Sequence, residues 1–328
     1  MPSDALLSDL RKVVTNELPA RLPSVVAFIV GANPSKGARS PKLWNAAFAA
    51  LGIDGEMFPL DVTKQNLAAL LQILEGVSRV VGAAVAAPYK ADLARLLGDR
   101  LVPAAKHCGS INLLSRNGGH DAGRTPEAAS ASAVSAPGVS SPAVSAPAAP
   151  FFGSNTDGIA AVESLREIRP NFAKSNVLVL GCGGTGRAVI ASLLNEVKPA
   201  NLSVAVRSER HRAWLNSLGV RPVPADLDGV DLASFSVVVN CTTVGWGDQA
   251  NASPLDDAQL SRLGDHGTVF DVVYQPDPTV LLQRAKARGL ATLSGTRMNL
   301  LQAVIAFTTA NRGADAGTVA AAMKQAAG

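Results

Sequence analysis

Residues 177–194 read VLVLGCGGTGRAVIASLL. The apolar run Val177–Leu180 has strand length and leads directly into Gly181, Gly183 and Gly186, a G-x-G-x-x-G pattern with Gly184 as an additional glycine. An apolar helical run, Ala188–Leu194, follows. A glycine pattern alone arises by chance, and a glycine turn without a ligand is its plain alternative. Strand before and helix after are the context in which such a loop lets a pyrophosphate approach backbone N–H groups at a helix N-terminus. Gly181, Gly183, Gly184, Thr185 and Gly186 are therefore candidate cofactor contacts.

The next strand, Leu202–Val206, separates the two nicotinamide dinucleotides. An NAD site ends this strand with an acidic residue for the ribose 2′-hydroxyl. Here the strand ends in Arg207-Ser208-Glu209. A guanidinium with a neighbouring hydroxyl suits a 2′-phosphate through charge-assisted hydrogen bonds. Arg207 and Ser208 thus point to NADP, with NAD kept open by Glu209 and with Arg207 as a solvated surface charge in the plainer reading.

Outward from this loop the chain alternates. Val25–Val30, Glu56–Leu60 and Val80–Val85 predict strands, and Pro41–Leu51, Asn66–Leu74 and Lys90–Leu97 predict helices between them. Such alternation predicts a parallel sheet in an α/β fold. Ile159–Ile168 predicts a helix connecting two domains. Further strands are predicted at Val237–Asn240 and Val269–Val272, and helices near Arg212–Leu218, at Pro278–Arg288 and at Met298–Thr309. Val177 to about Thr292 reads as a Rossmann-type doubly wound unit. One tract stands apart: 20 of the 27 positions in Arg124–Pro150 are Ala, Ser or Pro. It has too little apolar area to offset its ordering entropy, which predicts a flexible surface loop. Ile111–Ser115 and Phe151–Ser154 flank it as the expected strands of one hairpin.

Composition removes several classes. Of the 328 residues 47% are hydrophobic, and 30 Lys+Arg against 26 Asp+Glu give a net charge of +4 without any dense basic block. Nucleic acid and membrane surfaces are thus not expected as partners. Three cysteines and four histidines lack disulfide-framework or metal-ligand spacing, so no metal is expected. Residues 1–20 carry Asp4, Asp9 and Glu17 and predict an amphipathic helix, not a secretory signal. No run approaches membrane-spanning length. The expectation is a cytoplasmic protein.

Several segments then fall in one order: Ser40-Pro41 with Asn45-Ala46-Ala47-Phe48, Pro88-Tyr89-Lys90, Ile111-Asn112, Asn155-Thr156-Asp157-Gly158, the glycine loop, Asn240-Cys241-Thr242-Thr243-Val244-Gly245, Asp271-Val272-Val273-Tyr274-Gln275-Pro276, and Gly295 with Met298 and Gln302-Ala303. In these the chain resembles the shikimate/quinate dehydrogenase family. The resemblance implies an NADP-linked oxidoreductase of aromatic amino acid biosynthesis acting on a small cyclic hydroxy acid such as shikimate, quinate or aminoshikimate. It implies a substrate-binding catalytic domain over residues 1–158, with its loop at 120–150 and completion by C-terminal helices 296–328. A cofactor domain would cover 159–295. Hydride transfer to or from a secondary alcohol also moves a hydroxyl proton, and no histidine is suitably placed, so Lys90 is the candidate carrier with Asp157 as its partner. These two match the family's catalytic pair. By the same resemblance Ser40, Asn112, Tyr274 and Gln302 bind substrate, and Thr242, Val244 and Gly295 border the cofactor. Plainer readings stand beside them: Lys90 as a first-turn helix lysine, Asp157 and Ser40 as helix caps, Asn112 as a strand-end asparagine, Tyr274 as strand-end packing and Gln302 as an exposed helix polar. A nucleotide-binding sensor derived from the family is the alternative function, and the oligomeric expectation is monomer or homodimer.

Three positions depart from the family pattern. Ala38 replaces its first carboxylate-binding serine, and Ala84-Val85-Ala86-Ala87-Pro88 stands where N-V-T-x-P is usual. A hydrogen bond to a charged group is worth about 1.5–3 kcal/mol, so losing two weakens a carboxylate substrate by roughly two to four decades. Lys36, Arg39 and Arg297 are the candidate replacements, and a moved substrate preference is the expectation.

Overall fold

The computed structural model describes residues 2–116 and 148–328. Most of the Arg124–Pro150 tract, and with it the surface-loop expectation, lies outside the described residues. Two compact units are present: residues 1–156 with 302–328, and residues 157–301.

The first unit is built on a five-stranded sheet in the order β2-β1-β3-β4-β5. Its strands are β1 (Val25–Gly31), β2 (Gly55–Asp61), β3 (Val80–Val85), β4 (Leu113–Ser115) and β5 (Phe152–Ser154). β1 pairs in parallel with both β2 and β3, whereas β4 runs antiparallel to both β3 and β5. β1 is buried at six consecutive positions, as befits a central parallel strand covered on both faces. Helices α1 (Pro2–Leu10), α2 (Ser40–Ala50), α3 (Leu67–Glu75), α4 (Lys90–Leu97) and α5 (Pro103–Cys108) belong to this unit. In α3, Leu67, Leu70, Leu71 and Leu74 are buried, the i, i+3, i+4, i+7 stripe of an amphipathic helix. Trp44 and Phe48 of α2 meet the Phe307 ring edge-on, at centroid distances of 5.1 and 4.9 Å, a favoured aromatic geometry.

The second unit carries a six-stranded sheet in the order β11-β10-β9-β6-β7-β8. Its strands are β6 (Val177–Leu180), β7 (Leu202–Val206), β8 (Arg221–Pro224), β9 (Val237–Asn240), β10 (Thr268–Asp271) and β11 (Ala291–Ser294). Every pair is parallel. The chain starts in the middle, winds outward through β7 to β8, then crosses back to β9 beside β6. That is the doubly wound order, and its reversal between β6 and β9 is where open α/β sheets bind ligands. The helices are α6 (Asp157–Ile168), α7 (Gly184–Leu193), α8 (Glu209–Ser217), α9 (Asp257–Ser261) and α10 (Val280–Ala287). α11 (Gly295–Ala310) and α12 (Ala316–Ala327) end the chain. Among the described residues no helix is long and apolar enough to cross a membrane.

Candidate active site

In the first unit Tyr89 is buried, and its hydroxyl donates to the Val62 carbonyl at 2.8 Å. This fixes the start of α4, whose first residue is the half-buried Lys90. The Lys90 carbonyl accepts from Ile111 N at 3.1 Å. Lys90 is thereby tied by its backbone next to Asn112.

Asn112 is 5% exposed and extends the sheet, its N donating to Ser154 O and its carbonyl accepting from Val85 N. Its side chain makes a reciprocal pair with Thr156: Nδ2 donates to Thr156 Oγ1 at 2.9 Å, and Oδ1 accepts from Thr156 N at 2.8 Å. Gln302 joins them. Its Oε1 accepts from Asn112 Nδ2 at 3.4 Å, and its carbonyl accepts from Thr156 Oγ1 at 3.1 Å. Gln302 is therefore half-buried and bonded, not an exposed helix polar, and it belongs to the first unit.

Ser40 is half-buried and is the first residue of α2. The cap position belongs to Arg39, without a side-chain capping bond, so the reading of Ser40 as the cap of this helix is corrected. Ala38, Ala84 and Ala86 are all half-buried. Of their candidate substitutes, Lys36 is exposed and Arg39 Nη2 donates to the Ala327 carbonyl at 3.4 Å. Arg297 is committed elsewhere: its Nε donates to Glu167 Oε2 at 2.9 Å and its Nη2 to Oε1 at 2.5 Å. This fork holds the Glu167 carboxyl below the usual carboxylate range.

In the second unit the glycine loop leaves β6 at Gly181, which has φ +90, a conformation that L side chains rarely adopt. Gly183 occupies the N-cap of α7, and Gly184, Thr185 and Gly186 form its first turn. A Cβ built on Gly183 would meet nothing within 4 Å. Here first-turn N–H groups, which have no intrahelical acceptor, border open space at the switch point, so the residues present fit a dinucleotide pyrophosphate. Asp157, 6% exposed, is the first residue of α6, and its Oδ2 accepts from Thr185 Oγ1 at 3.3 Å. The candidate catalytic carboxylate is thus joined to the glycine loop.

Arg207 is exposed past the end of β7, and Ser208 is the N-cap of α8. The segment after β9 is held by a buried network. Asn240 Nδ2 donates to Asp271 Oδ1 at 2.9 Å, and Asn240 Oδ1 accepts from Thr242 N at 3.0 Å and from Thr242 Oγ1 at 2.7 Å. Thr242 Oγ1 in turn accepts from Val244 N at 3.1 Å. Asp271 also accepts from Thr279 Oγ1 and Val273 N, and burial pushes its carboxyl pKa above the ordinary value. Tyr274 follows half-buried, and Gly295 opens α11. Thr156, Asn240 and Asp271 stand in the quoted family segments without an assigned role, and Thr279 escapes sequence reasoning altogether. A usable signal was present, since a polar residue closes the buried runs Val237–Asn240 and Thr268–Asp271. Burial also pushes the Cys182 thiol up to about 11, opposed by nearby Arg187.

Residues 30–114 match a family model described as the shikimate dehydrogenase substrate binding domain. A shikimate dehydrogenase (NADP(+)) of Rhodospirillum rubrum is 33% identical over 293 residues, covering 86% of this chain and 89% of that protein. One from Citrifermentans bemidjiense is 32% identical over 292 residues, covering 86% of this chain and 88% of that protein. Among solved structures, the quinate dehydrogenase of Corynebacterium glutamicum in complex with NAD superposes with a TM-score of 0.72 at 25% identity, covering 92% of this chain and 99% of that one. The shikimate 5-dehydrogenase of Thermus thermophilus, in complex with NADP(H) and shikimate, has a TM-score of 0.71 at 24% identity, with coverage of 92% and 99%. By identity and by the length over which it holds, this chain belongs to the shikimate dehydrogenase family.

Proposed function

We propose that the chain is an NADP-dependent oxidoreductase acting on a CH–OH group, reversibly interconverting shikimate and 3-dehydroshikimate or a related cyclic hydroxy acid. The observation that carries this reading is the near full-length match to NADP-dependent shikimate dehydrogenases. The glycine loop at the sheet's switch point supports it. The activity belongs to aromatic amino acid biosynthesis, and we assign it to the cytoplasm. The partners are small molecules, in a monomer or homodimer.

Bound NADP supplies the hydride acceptor. The chain's residues do the rest. First-turn N–H groups of Gly184, Thr185 and Gly186 bind the pyrophosphate, and Arg207 and Ser208 bind the 2′-phosphate. Thr242, Val244 and Gly295 border the remainder of the dinucleotide. Lys90 takes the proton from the substrate hydroxyl during oxidation and returns it during reduction, and Asp157 orients that hydroxyl. Ser40, Asn112, Tyr274 and Gln302 bind the ring substituents. Residues 1–158 serve the substrate, with the C-terminal helices 296–328, and residues 159–295 serve the cofactor.

Absorbance of the reduced nicotinamide, with NADP and NAD each offered alongside shikimate, quinate and aminoshikimate, tests this. NADP-linked turnover of one or more of the three is expected. Nucleotide binding with silence on all three would overturn it and leave a nucleotide sensor.

A further inference from the structure

The ion pairs of the second unit engage some of its eleven arginines and leave Arg207 and Arg210 out. Arg166, Arg212, Arg284, Arg288 and Arg297 each face a carboxylate within 4.0 Å. Arg207 and Arg210 are exposed and, among the described residues, form no ion pair. They stand where β7 passes into α8, the strand beside the one that feeds the glycine loop. Positive charge gathered at the carboxyl ends of the strands, where a parallel sheet binds ligands, is the footprint of an anion site.

His211, on the first turn of α8, is half-buried within this group. Two cations act on it: Arg187 from α7 and Arg210 on its own helix. Glu209 and Arg212 on the same turn pair with one another. β7 reads LSVAV and brings no charge, and Arg221 on β8 is exposed. Burial first, then the two arginines, lower the imidazole pKa below its ordinary value. A bound phosphate dianion has the opposite sign and restores the proton. Phosphate capture and imidazole protonation are therefore coupled.

We propose that His211 is the proton-dependent member of the cofactor's 2′-phosphate site, so that selection of NADP(H) over NAD(H) weakens as the imidazole loses its proton. This rests on the dinucleotide reading above. Affinity is greatest below the pKa of the imidazole in the free protein and is lost as pH rises through its pKa in the complex. The phosphate's own second ionisation, near pH 6, works in the reverse direction, so variants must carry the comparison.

Dissociation constants of NADPH and NADH are measured by titration calorimetry between about pH 5.5 and 8 for wild type, His211→Gln and His211→Arg. Wild type is expected to bind NADPH about tenfold more tightly than His211→Gln at the acid end. The two curves should converge at the alkaline end, while His211→Arg stays tight throughout. NADH should bind all three alike, which also reports that the variants are folded. Superimposed wild-type and Gln curves for NADPH, or an equal pH response with NADH, would overturn the inference while leaving the dinucleotide reading intact. Binding of neither nucleotide would overturn both.

Discussion

Asn112 and Thr156 hold each other twice, Nδ2 to Oγ1 at 2.9 Å and N to Oδ1 at 2.8 Å. Both residues are buried, and the peptide bond after Thr156 leads to Asp157. The side chain expected to touch substrate therefore also sets the backbone that enters the candidate catalytic carboxylate. Asn112→Ala strips a buried N–H of its acceptor, which costs about 1–3 kcal/mol. Urea unfolding should show that loss together with a fall in turnover. Unchanged stability would mean the pair is not formed in solution.

Gly158 offers a second test. A Cβ there would lie 2.3 Å from both the Ala188 carbonyl oxygen and Ser192 Oγ. Two helices meet at this point, and one of the obstacles is backbone. Gly158→Ala should cost about 1–3 kcal/mol or more through overpacking. Because α6 carries Asp157 and α7 carries Thr185, it should also weaken nucleotide binding. Thermal unfolding and a dinucleotide titration check the two effects separately.

Both helices were legible in outline from apolar periodicity, and the six-stranded sheet was legible at its centre. β6, β7 and β9 are continuous Val/Leu-rich runs because both of their faces are covered. The edges were not. β8 reads RPVP, and proline is tolerated only where a strand's N–H faces no partner. β11 reads ATLS and carries little apolar signal. Helix α5 is only six residues long and escaped notice, whereas α12 falls within the helices expected over 296–328 from the family resemblance, without bounds of its own. The glycine loop could be read locally, since its strand and helix adjoin it. Asn112's grip on Thr156 could not, because its partners lie 44 positions apart and meet only once β4 and β5 are side by side.

Asp271 should leave a mark on the pH dependence of stability. Its buried carboxyl has a folded-state pKa raised above the ordinary 3.8. The folded state thus binds the proton more tightly than the unfolded chain. The resulting stability is fully present below 3.8 and is lost as pH rises through the folded value. Subtracting the stability profile of Asp271→Asn from that of wild type should give a difference that falls over this window and is flat above it. A difference that rises with pH there would reverse the assignment.

Arg297 is engaged with Glu167 across side chains that are 43% and 48% exposed. Exposed pairs contribute about 0–1 kcal/mol. Arg297→Ala should therefore change stability by less than about 1 kcal/mol and leave the KM for the carboxylate substrate alone. A tenfold rise in KM would return Arg297 to the list of carboxylate ligands.

Ala38 and Ala86 are where substrate preference should be adjustable. Restoring the family hydroxyls with Ala38→Ser and Ala86→Thr should lower the KM for shikimate by about tenfold or more per recovered bond. Initial rates at saturating NADP measure this, and an unaltered KM in the double variant would show that other groups already hold the carboxylate.

The most direct test compares wild type with Lys90→Met in NADP-linked oxidation of whichever cyclic hydroxy acid turns over, alongside the dissociation constant for NADPH. General acid–base catalysis is worth about 10²–10⁴-fold. The account predicts a fall in kcat of that size with nucleotide affinity unchanged. A variant that keeps wild-type kcat would contradict it.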